Sequence, residues 1–203
     1  MEIKNIVFDM GGVIIDFDPD RSVARHFPED CRDLVKKTVF GSKEWLNMDR
    51  GTLDYAEGVE RICSALPEEL RDEARLMIVS HEEEMPPIPE MFALVKSLSE
   101  NGYGLYLLTN CPAWFHEFKP RVPAFAYFDG FIVSADHKRS KPEKEIYNIL
   151  LDTYSLRAEE CFFVDDSPVN AAAAEKLGIR SYCFSDRDAE RLKAVMREHG
   201  IKV

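Results

Sequence analysis

Cysteine is scarce in this sequence and follows no pairing pattern. The chain has five cysteines, an odd number, and no two are spaced as Cys-x-x-Cys. This argues against a disulfide framework and against a thiolate zinc site. No apolar run approaches the roughly 18 residues that span a bilayer. The segment "MEIKNIVFD" lacks the basic and apolar regions of a secretory signal, so we expect a cytoplasmic protein with no membrane partner.

Basic side chains are in the minority. The chain has 26 lysines and arginines against 37 aspartates and glutamates, which gives a formal net charge of −11. This balance disfavours nucleic acid as a partner, because phosphate backbones bind basic surfaces. A protein of this charge needs a metal ion or a local group of cations to handle phosphorylated molecules.

Five apolar runs predict a buried parallel sheet. They cover residues 3–8, 104–109, 130–135, 161–166 and 179–184. Continuous apolar runs are typical of strands that are covered on both faces. Helical segments such as "KEIYNILLDTYS" and "NAAAAEKLG" lie between them. Strands that alternate with helices indicate an α/β fold with a doubly wound, Rossmann-like parallel sheet.

The interval from residue 19 to residue 86 interrupts this alternation. It contains helical patterns such as "EDCRDLVKKTVF", "LDYAEGVERICSAL" and "ELRDEARLMIVSHEEE", and no convincing strand. The proline-bearing segments "DFDPD" and "MPPIP" flank it and predict hinge-like connections. We therefore expect a small helical insertion, residues 19–86, in a core formed by residues 1–18 and 87–203.

Polar side chains follow three of the predicted strands. They are Asp9, Thr109, Asn110, Asp165 and Asp166, joined by Lys141 in the segment "SKPEKEIY". Ligands of open parallel sheets bind outside the carboxyl ends of the strands, so we expect these residues to share a site. An aspartate can form an aspartyl-phosphate, and carboxylates and carbonyl oxygens suit Mg²⁺. Hydroxyl and ammonium groups can hold the oxygens of a phosphoryl group, and glycines allow close approach of the backbone.

Four segments together make the sequence resemble the haloacid dehalogenase-like (HAD) superfamily, in which Mg²⁺-dependent phosphatases predominate. They are "VFDMGGVI", "LLTN", "SKPEKEIY" and "FFVDDSPVN", in the superfamily's order. The resemblance implies an HAD core with a small helical cap over the nucleophile. It implies the following roles: Asp9 as nucleophile, Thr109 and Lys141 as catalytic residues that hold phosphate, Gly11, Gly12 and Asn110 as further phosphate contacts, and Asp9, Gly11, Asp165 and Asp166 as Mg²⁺ ligands.

Gly11 departs from the superfamily's pattern. Most of its phosphatases have a second aspartate there as general acid and base, whereas the metal contact comes from the backbone carbonyl, which glycine keeps. A general acid typically contributes about 10²–10⁴-fold, so its absence favours substrates with a good leaving group. Alternatively Asp16, Asp18 or Asp49 supplies the proton. The "DxGG" form also resembles a subgroup that includes bacterial alpha-glucose-1-phosphate phosphatases, which implies a sugar phosphate as substrate.

Lys138 is a second departure, because the resemblance predicts a glycine three residues before Lys141. A lysine tolerates positive φ poorly, so we expect a loop of different shape. Lys138 and Arg139 form either a basic rim for an anionic substrate or a solvated loop. Trp45 and Met48 either line a pocket above Asp9 or pack in the interior of the insertion.

The motifs favour a Mg²⁺-dependent phosphatase that hydrolyses a small phosphorylated metabolite and acts as a monomer or homodimer. Two alternatives stay open. One is a metal-independent 2-haloacid-type dehalogenase, and the other is a non-catalytic regulatory protein that binds metal or phosphate. Metal-dependent turnover separates the phosphatase from the binding protein, and halide release without metal identifies the dehalogenase.

Overall fold

A five-stranded parallel sheet organises the chain. We describe the protein from a computed structural model, which covers residues 2–80 and 85–203. The strands are β1 (Asn5–Phe8), β2 (Gly104–Thr109), β3 (Gly130–Val133), β4 (Cys161–Asp165) and β5 (Arg180–Cys183). Their order across the sheet is β3-β2-β1-β4-β5, and every neighbouring pair is parallel. The predicted α/β fold is confirmed.

Both faces of the sheet are covered, which explains why its strands are apolar throughout. Ile6 and Phe8 of β1 belong to a hydrophobic cluster on one face, and Val7 belongs to a cluster on the other, because successive side chains of a strand point to opposite sides. The covering helices are α6 (Pro89–Glu100), α7 (Phe115–Phe118), α8 (Ser134–His137), α9 (Lys144–Thr153), α10 (Pro168–Glu175) and α11 (Ala189–Glu198).

The interval after β1 is helical, as predicted. Its described helices are α1 (Pro19–His26), α2 (Glu29–Val39), α3 (Lys43–Asp49), α4 (Tyr55–Ser64) and α5 (Glu68–Ser80). They bury a separate hydrophobic cluster that includes Val35, Met48, Ile62 and Met77. The predicted helical segment "ELRDEARLMIVSHEEE" matches α5 as far as Ser80, and its last four residues, 81–84, lie outside the described residues.

Two short helices of this insertion, α1 and α3, have no counterpart in the predicted patterns. Each begins at a side chain that accepts a hydrogen bond from the first turn, Asp18 for α1 and Ser42 for α3. Such N-caps typically stabilise a helix by about 1 kcal/mol. Both helices span fewer than three turns, so too few apolar positions repeat for the sequence pattern to reveal them.

The two segments that join the insertion to the sheet run side by side. Asp16 N donates to Pro86 O over 2.8 Å, and Ile88 N donates to Ile14 O over 3.0 Å. Asp16 is also fixed by Arg21 and by Arg187. The insertion is therefore joined to the sheet by two segments that are hydrogen-bonded to each other. They lie at the positions where the hinge-like segments were predicted. No helix among residues 2–80 and 85–203 combines the length and the apolar character needed to cross a membrane.

Candidate active site

The carboxyl ends of three adjacent strands bring the predicted polar residues together. Asp9 follows β1, Thr109 ends β2, and Asp165 ends β4. Because β1 lies between β2 and β4, the three side chains lie side by side at one edge of the sheet. All three residues are buried. The sheet order therefore places the predicted nucleophile in the centre of the site.

Lys141 joins two of these carboxylates. Its Nζ lies 2.7 Å from Asp9 Oδ1 and 2.7 Å from Asp165 Oδ2, and the ammonium is almost inaccessible to solvent. Burial lowers the pKa of Lys141, but Asp165 and Asp9 outweigh that effect, so its pKa is raised and the lysine stays charged. Burial raises the pKa of Asp9, opposed by Lys141 and assisted by Asp165.

Asp165 is held by several neighbouring groups. Besides Lys141 it accepts hydrogen bonds from Ser167 N over 2.9 Å and from Asn170 Nδ2 over 3.0 Å. Asp166, the next residue, is partly exposed, and burial followed by the charge of Asp165 raises its pKa. Asp165 is thus buried and held in place, whereas Asp166 lines the open part of the site.

The carboxylates form a group that suits a divalent cation. One oxygen from each of Asp9, Asp165 and Asp166 lies within 4.8 Å of the others. Three carboxylates face one ammonium. Burial is the main cause of the raised pKa values of Asp9 and Asp166, and the charge of Asp165 adds to it. Oxygen ligands of this kind fit Mg²⁺. A methyl group on Gly12, whose φ is +70°, would lie 2.5 Å from Asp166 Oδ2, so the bare backbone leaves the room that Asp166 occupies.

The side chain of Asn110 contacts the protein backbone. Its Oδ1 accepts from Lys141 N over 2.8 Å, and its Nδ2 donates to Lys141 O over 3.0 Å. This reciprocal pair ties the end of β2 to the loop that carries Lys141. In this structure the side chain of Asn110 therefore positions Lys141, and its contact with phosphate stays a prediction.

The three candidates for the missing acid lie in different places. Asp16 pairs with Arg21 and Arg187, and Asp18 caps α1 through Arg21 N. Asp49, the last residue of α3, lines the same cavity as Asp9. Burial, followed by the negative charge of Asp9, raises its pKa to about 8.

A cavity of about 250 Å³ opens above the carboxylates. Its polar lining comes from Asp9, Asp49, Thr109, Asn110, Lys141, Asp166 and Asn170. Its apolar lining comes from Met10, Ile15, Phe17, Trp45, Met85, Cys111, Pro112 and Trp114. Trp45 lines the cavity and also packs in the insertion's own cluster, whereas Met48 packs in that cluster and does not line the cavity. Except for Asp49, the polar side chains come from the sheet side of the cavity.

The end of α3 is held against the sheet domain by three contacts. Arg50 forms a bidentate ion pair with Glu143, and Ser134 Oγ donates to the carbonyl of Asp49. A methyl group on Gly51 would overlap the backbone of Ala135. Sequence reasoning missed all three, because partners about 85 to 93 positions apart leave no local pattern.

Lys138 and Arg139 are exposed and do not line the cavity. Lys138 has a φ of +54° and ends the short helix α8. Lys138 thus adopts the left-handed conformation that lysine tolerates poorly, and the difference in loop shape from the family stays a prediction. Both residues belong to a solvated loop.

Comparison with known proteins identifies the family. The sequence matches the haloacid dehalogenase-like hydrolases over residues 3–178, and the chain belongs to this family. It is 29% identical to the sesquiterpene phosphatase astK of Aspergillus oryzae, over 90% of each chain. It is 26% identical to the D-ribitol-5-phosphate phosphatase of Bacteroides thetaiotaomicron, over 89% of this chain and 91% of the relative.

Solved structures agree with this assignment. An HAD family enzyme from Bacteroides thetaiotaomicron, in complex with magnesium, superposes with a TM-score of 0.66 and 25% sequence identity, covering 90% of this chain and 93% of the other. The predicted family and fold are therefore confirmed, and the protein is a hydrolase with phosphatase relatives.

Proposed function

We propose that this protein is a Mg²⁺-dependent phosphatase that hydrolyses a small phosphorylated metabolite through an aspartyl-phosphate on Asp9. The observation that carries the proposal is the buried arrangement of Asp9, Lys141 and Asp165, of which Asp9 and Lys141 line the cavity. The magnesium complex of a structural relative supports the choice of metal. Asp9, Asp165, Asp166 and the carbonyl of Gly11 would hold the ion, which would neutralise charge on the phosphoryl group.

Side chains of the protein supply the nucleophile and bind the phosphoryl group. A carboxylate oxygen of Asp9 attacks phosphorus, and Lys141 keeps that carboxylate oriented. The hydroxyl of Thr109 and the ammonium of Lys141 bind the phosphoryl oxygens, since this chemistry depends mainly on positioning and on charge stabilisation. We assign the helical insertion, residues 19–86, as a cap on the core of residues 1–18 and 87–203, because its residues close the cavity above Asp9.

The apolar lining of the cavity favours an apolar alcohol as the leaving group. Phe17, Trp45 and Trp114 are among the lining residues, and Phe40 packs edge-on against Phe17 and Trp45. Sugar hydroxyls in this region would lose hydrogen bonds to water that apolar walls do not replace. The relative that is a sesquiterpene phosphatase supports a hydrocarbon group, whereas the ribitol-phosphate relative supports the predicted sugar phosphate.

The test is phosphate release from a panel of terpenyl, alkyl, sugar and aryl phosphates, with and without Mg²⁺. We expect Mg²⁺-dependent turnover and a higher kcat/KM for hydrocarbon phosphates than for sugar phosphates. Asp9→Asn should abolish turnover. Asp33→Asn, the same change on the exposed face of α2, should retain it.

Three outcomes would contradict the proposal or a part of it. Mg²⁺ binding without turnover of any phosphate would favour the non-catalytic binding protein. Halide release from a 2-haloacid without metal would favour the dehalogenase. Preference for a sugar phosphate would overturn the apolar specificity and leave the phosphatase assignment standing.

A further inference from the structure

The site lacks a proton donor at the position where the family's phosphatases place one. The following inference rests on the proposed phosphatase function. When Asp9 attacks the phosphorus of an alkyl phosphate, the leaving oxygen departs as an alkoxide, which is a strong base and needs a proton. Position 11 is a glycine, and a side chain there would contact Phe17, since its Cβ would lie 3.4 Å from Phe17 Cβ. An apolar ring therefore fills the space beside Gly11.

Three carboxyl groups line the described cavity, and two of them have other roles. They belong to Asp9, Asp49 and Asp166. Asp9 is the nucleophile, and Asp166 lies in the carboxylate cluster that suits Mg²⁺. Asp49 comes from the insertion and lies outside that cluster, so its carboxyl is the one left to exchange a proton with substrate.

The position of Asp49 is fixed by one contact from the sheet domain and one from its own helix. Ser134 Oγ donates to its backbone carbonyl and also accepts from Cys111 N over 2.8 Å, which ties the end of α3 to the segment after β2. Trp45, one turn earlier in α3, donates a side-chain hydrogen bond to the carboxyl of Asp49. This bond orients the carboxyl of a residue that lines the cavity.

We propose that Asp49 is the general acid and base of this enzyme, supplied by the insertion in place of the aspartate that is missing at Gly11. In the first step, an oxygen of Asp9 forms a bond to phosphorus while the bond from phosphorus to the ester oxygen breaks. That ester oxygen takes the proton of Asp49 and leaves as an alcohol. Aspartyl-phosphate and an Asp49 carboxylate remain.

The second step returns both residues to their starting state. A water oxygen attacks phosphorus and gives a proton to the carboxylate of Asp49, and the bond from phosphorus to the Asp9 oxygen breaks. Inorganic phosphate leaves. In the metal-free protein, burial followed by the negative charge of Asp9 raises the pKa of Asp49 to about 8, which favours the protonated carboxyl that the first step requires.

The experiment compares the first turnover of two substrates by rapid quench in the presence of Mg²⁺. One substrate is 4-nitrophenyl phosphate, whose leaving group is stable as an anion, and the other is a straight-chain alkyl phosphate. In Asp49→Asn we expect the formation of aspartyl-phosphate from the alkyl phosphate to slow by about 10²–10⁴-fold. The burst of 4-nitrophenolate should persist, followed by slow turnover because the base for the second step is missing.

The controls separate this inference from the proposed function. Wild-type protein and Asp33→Asn should process both substrates in the first turnover, and Asp9→Asn should process neither. Absence of an Asp9-dependent burst in wild-type protein would defeat the phosphatase assignment itself. Equal first-turnover rates for Asp49→Asn and wild type on the alkyl phosphate would overturn the role of Asp49 alone. Loss of both bursts in Asp49→Asn and also in Asp49→Ser would overturn it too and make Asp49 a positioning residue.

Discussion

At the scale of single residues, Lys141 is the group on which the buried charges depend. It contacts Asp9 and Asp165 at 2.7 Å; the side chains of Lys141 and Asp165 are nearly inaccessible to water, and that of Asp9 is 12% exposed. A buried carboxylate without a partner is expensive, because the interior cannot replace its hydration. Lys141 therefore has a structural role in addition to its role toward phosphate.

Lys141→Met tests this structural role. We expect the free energy of unfolding in EDTA to fall by about 3–5 kcal/mol, the usual cost of breaking a buried ion pair. Urea denaturation at pH 7.5 measures the change. Lys96→Met removes an exposed lysine that lies 3.9 Å from Glu100 and should cost less than about 1 kcal/mol. A loss for Lys141→Met no larger than that of Lys96→Met would contradict the assignment.

Asp49 has a stability consequence that can be measured without substrate or metal. Its pKa is raised from 3.8 to about 8 in the folded protein, so the folded state binds its proton more tightly than the unfolded state does. Its contribution to stability is fully present below about pH 4 and is lost as the pH rises through about 8. Above that range an ionised Asp49 opposes folding.

Asp49→Asn should remove this pH dependence. In EDTA, we expect the stability of the variant relative to wild type to improve between pH 5 and pH 8 by on the order of 2 kcal/mol, because each unit of pKa shift corresponds to about 1.4 kcal/mol and partial exposure reduces the effect. Urea denaturation of both proteins across this range provides the measurement. A constant difference between the two proteins would show that Asp49 is ionised throughout.

At the scale of elements, the end of α3 is the contact through which the insertion meets the sheet. Gly51 has a φ of +73°, and its Cα faces the backbone of Ala135 at the start of α8. Neighbouring Arg50 and Asp49 make the ion pair and the hydrogen bond described above. The contact between α3 and α8 therefore requires a residue without a side chain.

Gly51→Ala should disturb this contact, and Gly102→Ala is the matched control. Gly102 also has a positive φ, +83°, but nothing lies within 4 Å of the position that its methyl group would take. Backbone strain alone should cost Gly102→Ala about 1–2 kcal/mol, whereas Gly51→Ala should lose more stability and lower kcat/KM as well. Thermal unfolding and phosphatase assays measure both effects. Equal losses of stability in the two variants would mean that the contact with Ala135 contributes nothing to stability.

The elements also show which parts of the fold can be predicted from sequence. The strand ends were predictable, because continuous apolar runs in an α/β pattern place Asp9, Thr109 and Asp165 at one edge of a parallel sheet. The long helices α2, α4 and α5 have clear apolar periodicity. The short helix α3 has little, and its pairing with the sheet depends on Arg50 and Glu143, which are distant in sequence. That part of the site required the structure.

The particular residues of the site divide in the same way. The motifs alone pointed to Asp9, Lys141 and the acidic pair, because carboxylates and an ammonium are the groups that this chemistry needs. The amide of Asn110 could bind either phosphate or the backbone of Lys141, and the sequence does not distinguish the two. The structure shows the contact with Lys141. Asp49 was one of three candidate acids, and the cavity lining separated it from Asp16 and Asp18.

At the scale of the whole molecule, an excess of acidic groups is concentrated at one site of an already acidic chain. The net charge is −11, and three carboxylates of the site lie within 4.8 Å of one another. A divalent cation that binds the folded protein and not the unfolded chain should relieve this repulsion. We therefore expect Mg²⁺ to stabilise the entire fold.

The melting temperature should rise with Mg²⁺. At a free concentration 100 times the dissociation constant, binding adds about 2.7 kcal/mol, which corresponds to roughly 5–11 °C for a chain of this size. Calorimetry with Mg²⁺ and with EDTA checks this, and Asp166→Asn should reduce the difference. A melting temperature that is insensitive to Mg²⁺ in the wild-type protein would argue against the metal assignment.

The central place of β1 has a consequence for how the chain acquires its structure during synthesis. The strand that ends at the nucleophile emerges from the ribosome first, yet its register partners begin at Gly104 on one side and at Cys161 on the other. The insertion, with its own hydrophobic cluster, is complete much earlier. Pairing over such distances in sequence is slow. The nascent chain therefore carries its first strand unpaired at least until β2 has been translated, and the edge that holds Asp9, Thr109 and Asp165 is complete only after β4.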